Sequence, residues 1–472
     1  MHNYKNIGLI SGIVIFIIML CSPHPESLSP EAWTVASIAV LMAIWWASEA
    51  IPVFITSLLP VVLFPLLNIA PIKEVTSPYA HPVIFLLLGG FIIASTLERW
   101  NLHKRLALMI LNKAGSNQQH IIAGFMIACA LLSMWISNTA TTIMMLPIAI
   151  SLAAFFSAKT NHFSICLILA IAYSSSIGGM GTLIGTPPNA LFAAYMSEHY
   201  NMDIGFAKWM LIGVPIVIVL IPLSWFVMTR LIFKLDNHSS NDSSDLIQNQ
   251  LSELGHWSIA EKRTIIVFIF VALCWITRPL LQNIELLSQL NDTIIAIVGA
   301  IILFIIPSGQ QRDERLLDWP TASKIPWGVL LLFGGGMSLA KMVNQTGLAA
   351  WLGENLSFFT SFHLLLFIFM LVALVVFLTE LTSNTATTAT LLPVMTGIAS
   401  STNFDPLLLC IPMTLAASCA FMLPVATAPN AIIFASGKVT IINMIRTGFY
   451  LNILAMFVIS LLVYFLLQVI TL

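Results

Sequence analysis

The sequence predicts an all-α polytopic membrane protein: eleven transmembrane helices, two re-entrant hairpins and an inverted-topology repeat. Three observations carry that expectation. The chain of 472 residues is 58% apolar and 8% charged, whereas soluble domains carry about 25% charged residues. Apolar stretches approaching the ~20 residues of a spanning helix follow one another along it. The hexapeptide Ser-Asn-Thr-Ala-Thr-Thr occurs twice, at Ser137–Thr142 and Ser383–Thr388, 246 positions apart. Two polar patches placed alike in two halves of an apolar chain point to a substrate site between the halves. The net charge of −1 gives no nucleic acid a footing.

The spans follow in order. The first apolar run, 7–22, comes after Lys5 and has the outline of a signal peptide. Ser22-Pro23-His24-Pro25 lacks the small-residue cleavage pattern, so residues 1–31 are expected to hold an extra, uncleaved span. The first repeat, 32–235, has spans at 32–49, 51–70, 81–98, 163–198 and 205–234. Its apolar stretch 119–157 is broken centrally by the first hexapeptide. Residues 236–261 are polar and read as a flexible cytoplasmic linker. The second repeat, 262–472, has spans at 262–283, 291–307, 325–343, 406–436 and 443–471, and a second broken stretch, 358–400. The arms of each broken stretch are shorter than a span, so each is expected to enter and leave the bilayer on one side. Backbone interrupted at that depth is tolerated only where protein or a wet cavity covers it.

Basic residues orient the chain. With the N-terminus inside and both hairpins re-entrant, fifteen Lys and Arg, among them Lys5, Arg99, Arg105, Lys159, Lys234, Lys262 and Arg315, face the cytoplasm. Only Lys73, Lys208, Arg278 and Lys341 lie opposite. Counting either hairpin as one full crossing weakens the bias. The expected location is therefore the inner (plasma) membrane, multi-pass, with a cytoplasmic N-terminus. The halves also match outside the hexapeptides: Leu88-Gly89-Gly90 recurs as Phe333-Gly334-Gly335, and Thr186-Pro187-Pro188-Asn189-Ala190 as Thr427-Ala428-Pro429-Asn430-Ala431, 241 positions on. Five spans and one hairpin per half is an odd number of crossings, which reverses the second half.

Each Ser-Asn-Thr stands where one hairpin arm ends and the next begins. Ser, Thr and Asn cap helix N-termini, whose free N–H groups bind an anion without a cationic side chain. The carbonyls ending the preceding arm, with Ser and Asn oxygens, suit a small hard cation. One such tripeptide alone is commonly a helix-packing polar patch; here it is duplicated and followed by Pro147 or Pro393. The Pro-Asn segments after 185 and 426 should break a spanning helix opposite each tip. No Lys or Arg lies near either motif, so a buried dianion needs bound cations to balance it. Glu380 is the one acid close by; a cation-site role and an outward structural role are both open to it. Trp45-Trp46 at a span end reads as an interfacial anchor. The six cysteines lie in or beside apolar runs without metal-ligand spacing.

The segments Ser133–Thr142, Thr379–Thr388, Gly185–Asn189 and Ala420–Asn430 resemble the divalent anion/sodium symporter family, closest to its bacterial sodium–dicarboxylate cotransporters. The likeness extends to Trp45–Pro52 and Gly89–Arg105. It implies eleven spans with two hairpins, a homodimer, and a transport domain that moves against a scaffold in elevator fashion. It implies one sodium site at Ser133, Ser137, Asn138 and Gly185, and another at Thr379, Ser383, Asn384 and Ala426. Two or more Na+ ions would be co-transported. Dicarboxylate contacts would come from Asn138, Thr139, Thr186, Asn384, Thr385 and Thr427. Ala428 stands where the family usually has proline, which bears on the second half of the site. The expected activity is sodium-coupled symport of C4-dicarboxylates (succinate, malate, fumarate) into the cell. Dicarboxylate exchange, or symport of tartrate, citrate or sulfate, is the alternative, because hydroxyl and amide contacts are generic. An enzyme needs a nucleophile–base pair or metal cluster, and the sequence offers neither.

Overall fold

The computed structural model describes residues 2–156, 162–233, 235, 241–355, 363–402 and 404–469. Lys159, Lys234, residues 236–240 of the expected linker and 358–362 of the second hairpin lie outside them. The described chain is helical, without a strand. Seven of its helices are long and apolar enough to cross a membrane: Pro30–Ser48, Ile72–Arg99, Asn138–Phe156, His162–Gly179, Phe206–Ile232, Ile259–Leu281 and Ile441–Val469. Shorter apolar helices include Lys5–Cys21, Gln118–Ser133, Asp292–Ile305, Leu364–Thr379 and Pro406–Ala416. Side-chain caps start many of them. Ser29 accepts from Ala32, Asn291 from Ile294 and Asp405 from Leu407. Ser258 and Glu261 form a capping box.

Four stretches depart from single spans or linkers, the first being 51–70, where a turn at Ser57-Leu58 separates Val53–Thr56 from Leu59–Leu66. The stretch 163–198 divides into His162–Gly179 and Pro187–Tyr200, and 406–436 into Pro406–Ala416 and Ala428–Ala435. Prolines 187, 188 and 429 bring no N–H to a preceding turn, so each helix restarts at the Pro-Asn segment. In the expected flexible linker, Asn241–Glu253 is instead an α-helix, packed on Leu102–Ala114. Arg105 fastens its end by donating to the carbonyls of Leu254 and Gly255, both at 2.9 Å. Trp46 is likewise no interfacial anchor. It is buried, with Nε1 donating to Val53 O at 3.1 Å and to Ser57 Oγ at 3.2 Å.

The centre of the molecule is His162–Gly179, buried without interruption from Cys166 onward. It packs against both arms of the first hairpin, Gln118–Ser133 and Asn138–Ala153. At Gly178 the helices approach so closely that a Cβ would lie 2.3 Å from Ala130 O. Outer faces expose Ile266, Leu280, Leu374, Ile442 and Phe465, an apolar surface suited to lipid.

Ion pairs tie distant parts of the chain together. Lys5 pairs with Glu49, Arg99 with Glu314 and Asp318, and Arg105 with Glu261. Arg278 pairs with Asp203 and Asp292, Lys341 with Glu74, and His81 with Glu198.

Candidate functional site

Each hexapeptide opens the second arm of a helix pair. In the first, Gln118–Ser133 gives way after four residues to Asn138–Ala153, and Ser137 Oγ caps the new helix by accepting from Ala140 N at 3.1 Å. In the second, Leu364–Thr379 gives way to Asn384–Thr402. Opposite each tip lies a non-helical segment, 180–186 or 417–427, leading into a Pro-Asn helix. The two segments are braced alike. Asn189 Nδ2 donates to the carbonyls of Gly179 (3.1 Å) and Thr182 (2.7 Å), and Asn430 Nδ2 to those of Ala420 (3.1 Å) and Leu423 (3.0 Å). Acceptors ten and seven residues before the donor recur in both copies. The duplication is one of backbone form as well as sequence.

At the first tip, Ser133 Oγ is hydrogen-bonded to the Asn138 amide. The Asn138 Oδ1 position also lies 3.3 Å from Gly185 O and 3.1 Å from Ser175 O. An amide oxygen facing two carbonyl oxygens is repelled by both. Two arrangements relieve this: the amide turned so that its nitrogen donates to them, or a cation among the four oxygens. With the amide turned, its nitrogen serves Gly185 O and Ser175 O; with the oxygen toward them, the set is neutral and all-oxygen, the kind that a hard monovalent cation takes. The first tip thus brings together Ser133, Asn138 and Gly185, and adds Ser175, while Ser137 stands beside them as the helix cap.

The second tip repeats the theme with different atoms. Thr379 Oγ1 lies 2.8 Å from Asn384 Oδ1 and 2.8 Å from Ala417 O. One hydroxyl proton serves two acceptors here, so three oxygens again converge with too few hydrogens. Ser383 adjoins Asn384 in the chain, and its carbonyl receives Thr387 N at 2.8 Å; Ala426 makes a turn bond of its own, N donating to Leu423 O at 3.2 Å, and no bond to this group. The two non-helical segments touch where Cys419 Sγ meets Met180 Sδ at 3.8 Å. Tip, segment, segment and tip therefore form one chain of contacts, polar at each tip and through two buried sulfurs in the middle.

The hydroxyls expected at a carboxylate sit along that chain. Thr139 is half-buried beside Asn138, and Thr385 follows Asn384 and is buried. Thr186 is buried at the start of Pro187–Tyr200, and its side chain makes no capping bond. Thr427 does cap, accepting from Asn430 N at 3.2 Å. Ala428, in the place of Pro187, begins the shorter helix Ala428–Ala435.

Glu380 is not outward-facing. Its buried carboxylate accepts from the amides of Phe421 (2.7 Å), Met422 (2.8 Å) and Leu423 (3.0 Å), and from Asn452 Nδ2 (2.8 Å). Sequence reasoning missed Ser175 and Thr182, whose hydroxyl donates to Met134 O and receives Gly185 N at 3.1 Å. The signal used was identity between halves, and at the 241 offset these two positions hold Ala416 and Leu423. Thr182 lies in the glycine-rich break, whereas Ser175 sits in the helix before it and contributes only a carbonyl, so nothing in its residue type marked it.

Polar helix breaks facing each other inside an apolar helical protein define a membrane transporter rather than an enzyme. The model of the sodium:sulfate symporter transmembrane region matches residues 3–471. The chain belongs to that divalent anion/sodium symporter family. It is 43% identical over 471 residues to a sodium-dependent dicarboxylate transporter, SdcS, of Staphylococcus saprophyticus, covering 98% of this chain and 91% of that one. The SdcS protein of Staphylococcus aureus strain USA300 is 43% identical over 475 residues, with the same coverage. Among solved structures, the YdaH transporter of Alcanivorax borkumensis superposes with a TM-score of 0.58 over 98% of this chain and 96% of that one. At 12% identity, that likeness speaks for the fold alone.

Proposed function

We propose that the protein is a secondary active transporter that couples inward sodium movement to uptake of C4-dicarboxylates such as succinate, malate and fumarate. The observation that carries this reading is the pair of oxygen-rich groups, Ser133/Asn138/Ser175/Gly185 and Thr379/Asn384/Ala417, each set where a new helix begins after a break in the chain. Cations held there supply the charge that a dianion beside Thr139, Thr186, Thr385 and Thr427 requires. Asn138 and Asn384 join the two ions, offering oxygen to one and N–H to the other. Neither ion binds well without its counter-charge in a medium of low polarity, and that mutual dependence is the coupling. Likeness to the SdcS relatives, named sodium-dependent dicarboxylate transporters, supports a dicarboxylate as the substrate.

In this reading both hairpins are re-entrant, the halves are inverted repeats, and the N-terminus is cytoplasmic. Two ion pairs support it for the first hairpin. Arg105 precedes the first hairpin and Glu261 follows it, as do Glu74 and Lys341; one full crossing by the hairpin would part both pairs. The movement is of elevator type, a transport domain holding the tips against a scaffold within a homodimer, as the family resemblance implies. The deciding experiment is uptake of labelled succinate by proteoliposomes with and without an inward sodium gradient. Sodium-driven uptake competed by malate and fumarate is expected. Uptake that ignores sodium, or is competed by sulfate in preference to succinate, would refute the reading.

A further inference from the structure

We infer that Glu380 is a positioning residue for the second cation group: its carboxylate holds segment 417–427 in the form that brings Ala417 O to Thr379 and Asn384. The inference rests on the function proposed above. Three consecutive amides, of Phe421, Met422 and Leu423, turn onto this one anion at 2.7, 2.8 and 3.0 Å, a nest of N–H dipoles. A fourth donor, Asn452 Nδ2 on Ile441–Val469, reaches the Oε1 that Phe421 and Met422 also reach, at 2.8 Å. Among the described residues no ion pair involves Glu380, so backbone dipoles and one amide hold its charge.

The segment cannot settle elsewhere. Its backbone is non-helical, so its amides need acceptors, and Glu380 supplies them to three in a row. Behind it, Gly448 lies so close to Phe421 O that a Cβ there would approach to 2.3 Å. Thr379, whose hydroxyl bonds Ala417 O and Asn384 Oδ1, is the residue next to Glu380 in the chain. Hairpin tip and segment are thus tied at adjacent residues, one tie touching the oxygen group itself. The first half has no such anion. The position matching Glu380 is Met134, whose carbonyl receives Thr182 Oγ1, and the position matching Thr182 in the second half is Leu423, which has no hydroxyl. The two cation groups therefore differ: the first is shaped by a neutral bond, the second by a buried carboxylate.

The test is the sodium dependence of succinate uptake by the reconstituted full chain. In Glu380→Gln the shape persists but only one oxygen remains, and the new NH2 faces amides that cannot accept. We expect half-saturating sodium to rise about tenfold or more, as for one unpaired buried amide, with succinate KM at saturating sodium within about threefold of the parent. Glu380→Asp keeps the charge on a shorter arm and should recover part of the shift. A merely structural role would lower assembled yield and leave the sodium dependence of assembled protein alone. Unchanged half-saturating sodium in assembled Glu380→Gln overturns the inference, as does an equal rise in succinate KM. If the Gln variant does not assemble, Glu380→Asp is read in the same way, and unchanged sodium dependence overturns the inference there too. A parent protein without sodium-driven succinate uptake would sink the proposed function, and the inference with it, before any variant is compared.

Discussion

Gly179 offers the cleanest probe of the first oxygen group. It ends His162–Gly179 outside the left-handed region, so alanine meets no backbone strain there and is favoured over glycine in a helix by about 1 kcal/mol. What alanine meets instead is the site. Its Cβ would lie 2.7 Å from Asn138 Oδ1, 3.0 Å from Asn138 Nδ2 and 3.0 Å from Gly185 O, against 3.4–4 Å for ordinary contact. The amide must retreat by roughly 0.4–0.7 Å to reach 3.4 Å, enough to weaken a well-aligned oxygen contact. Overpacking of this size costs about 1–3 kcal/mol, which as a loss of coupling is about 5–150-fold. The assay is half-saturating sodium for succinate uptake in proteoliposomes, with assembled protein measured in parallel. Gly179→Ala should raise it at least fivefold in protein that assembles normally. Neighbouring Gly178→Ala should do the reverse, disturbing assembly, since its Cβ meets the Ala130 backbone at 2.3 Å. Sodium dependence of Gly179→Ala within about twofold of the parent would refute the cation assignment at Asn138.

Asn138→Asp and Asn384→Asp keep an oxygen but lose the amide donor and place a negative charge toward the substrate; each should abolish dicarboxylate uptake while sodium binding, followed by calorimetry, survives better. Normal succinate transport by either variant would remove that tip from the site. Ser137→Ala deletes the bond to Ala140 N and should raise half-saturating sodium, the cap alone being worth about 0.5–2 kcal/mol. An assembled variant with the parent's sodium curve would show that Ser137 does nothing beyond its helix. Asn189→Leu strips donors from the buried carbonyls of Gly179 and Thr182, and should destabilise by about 1–3 kcal/mol per orphaned group, read as an earlier thermal melt of purified protein. A melt at the parent's temperature would mean that the segment is not braced through this amide. Cysteines placed singly at positions 113 and 159 should label from the same side of the membrane; opposite sides would make the first hairpin a crossing.

Much of this was legible in the residues themselves. Apolar composition alone calls for helices that satisfy their own backbone, because a bilayer offers no water to unpaired amides. Identity between the two hexapeptides singled out Asn138 and Asn384, each of which opens a helix in the structure, and proline located the helix breaks because its ring removes a donor wherever it stands. What could not be read depended on atoms far apart in the chain. Ser175 enters the first oxygen group through its carbonyl, which every residue type possesses. Trp46, placed by pattern at an interface, is drawn inside by acceptors on Val53 and Ser57. The 241–253 stretch looked like a tether, yet it folds as a helix on Leu102–Ala114, and Arg105 pins the turn that follows it. Glu380 shows the division most plainly. Sequence placed an acid four residues before Asn384 and left its direction open. Only the fold could turn three amides from forty residues onward to face it, because a carboxylate's role is set by which donors reach it, and that is a property of three dimensions.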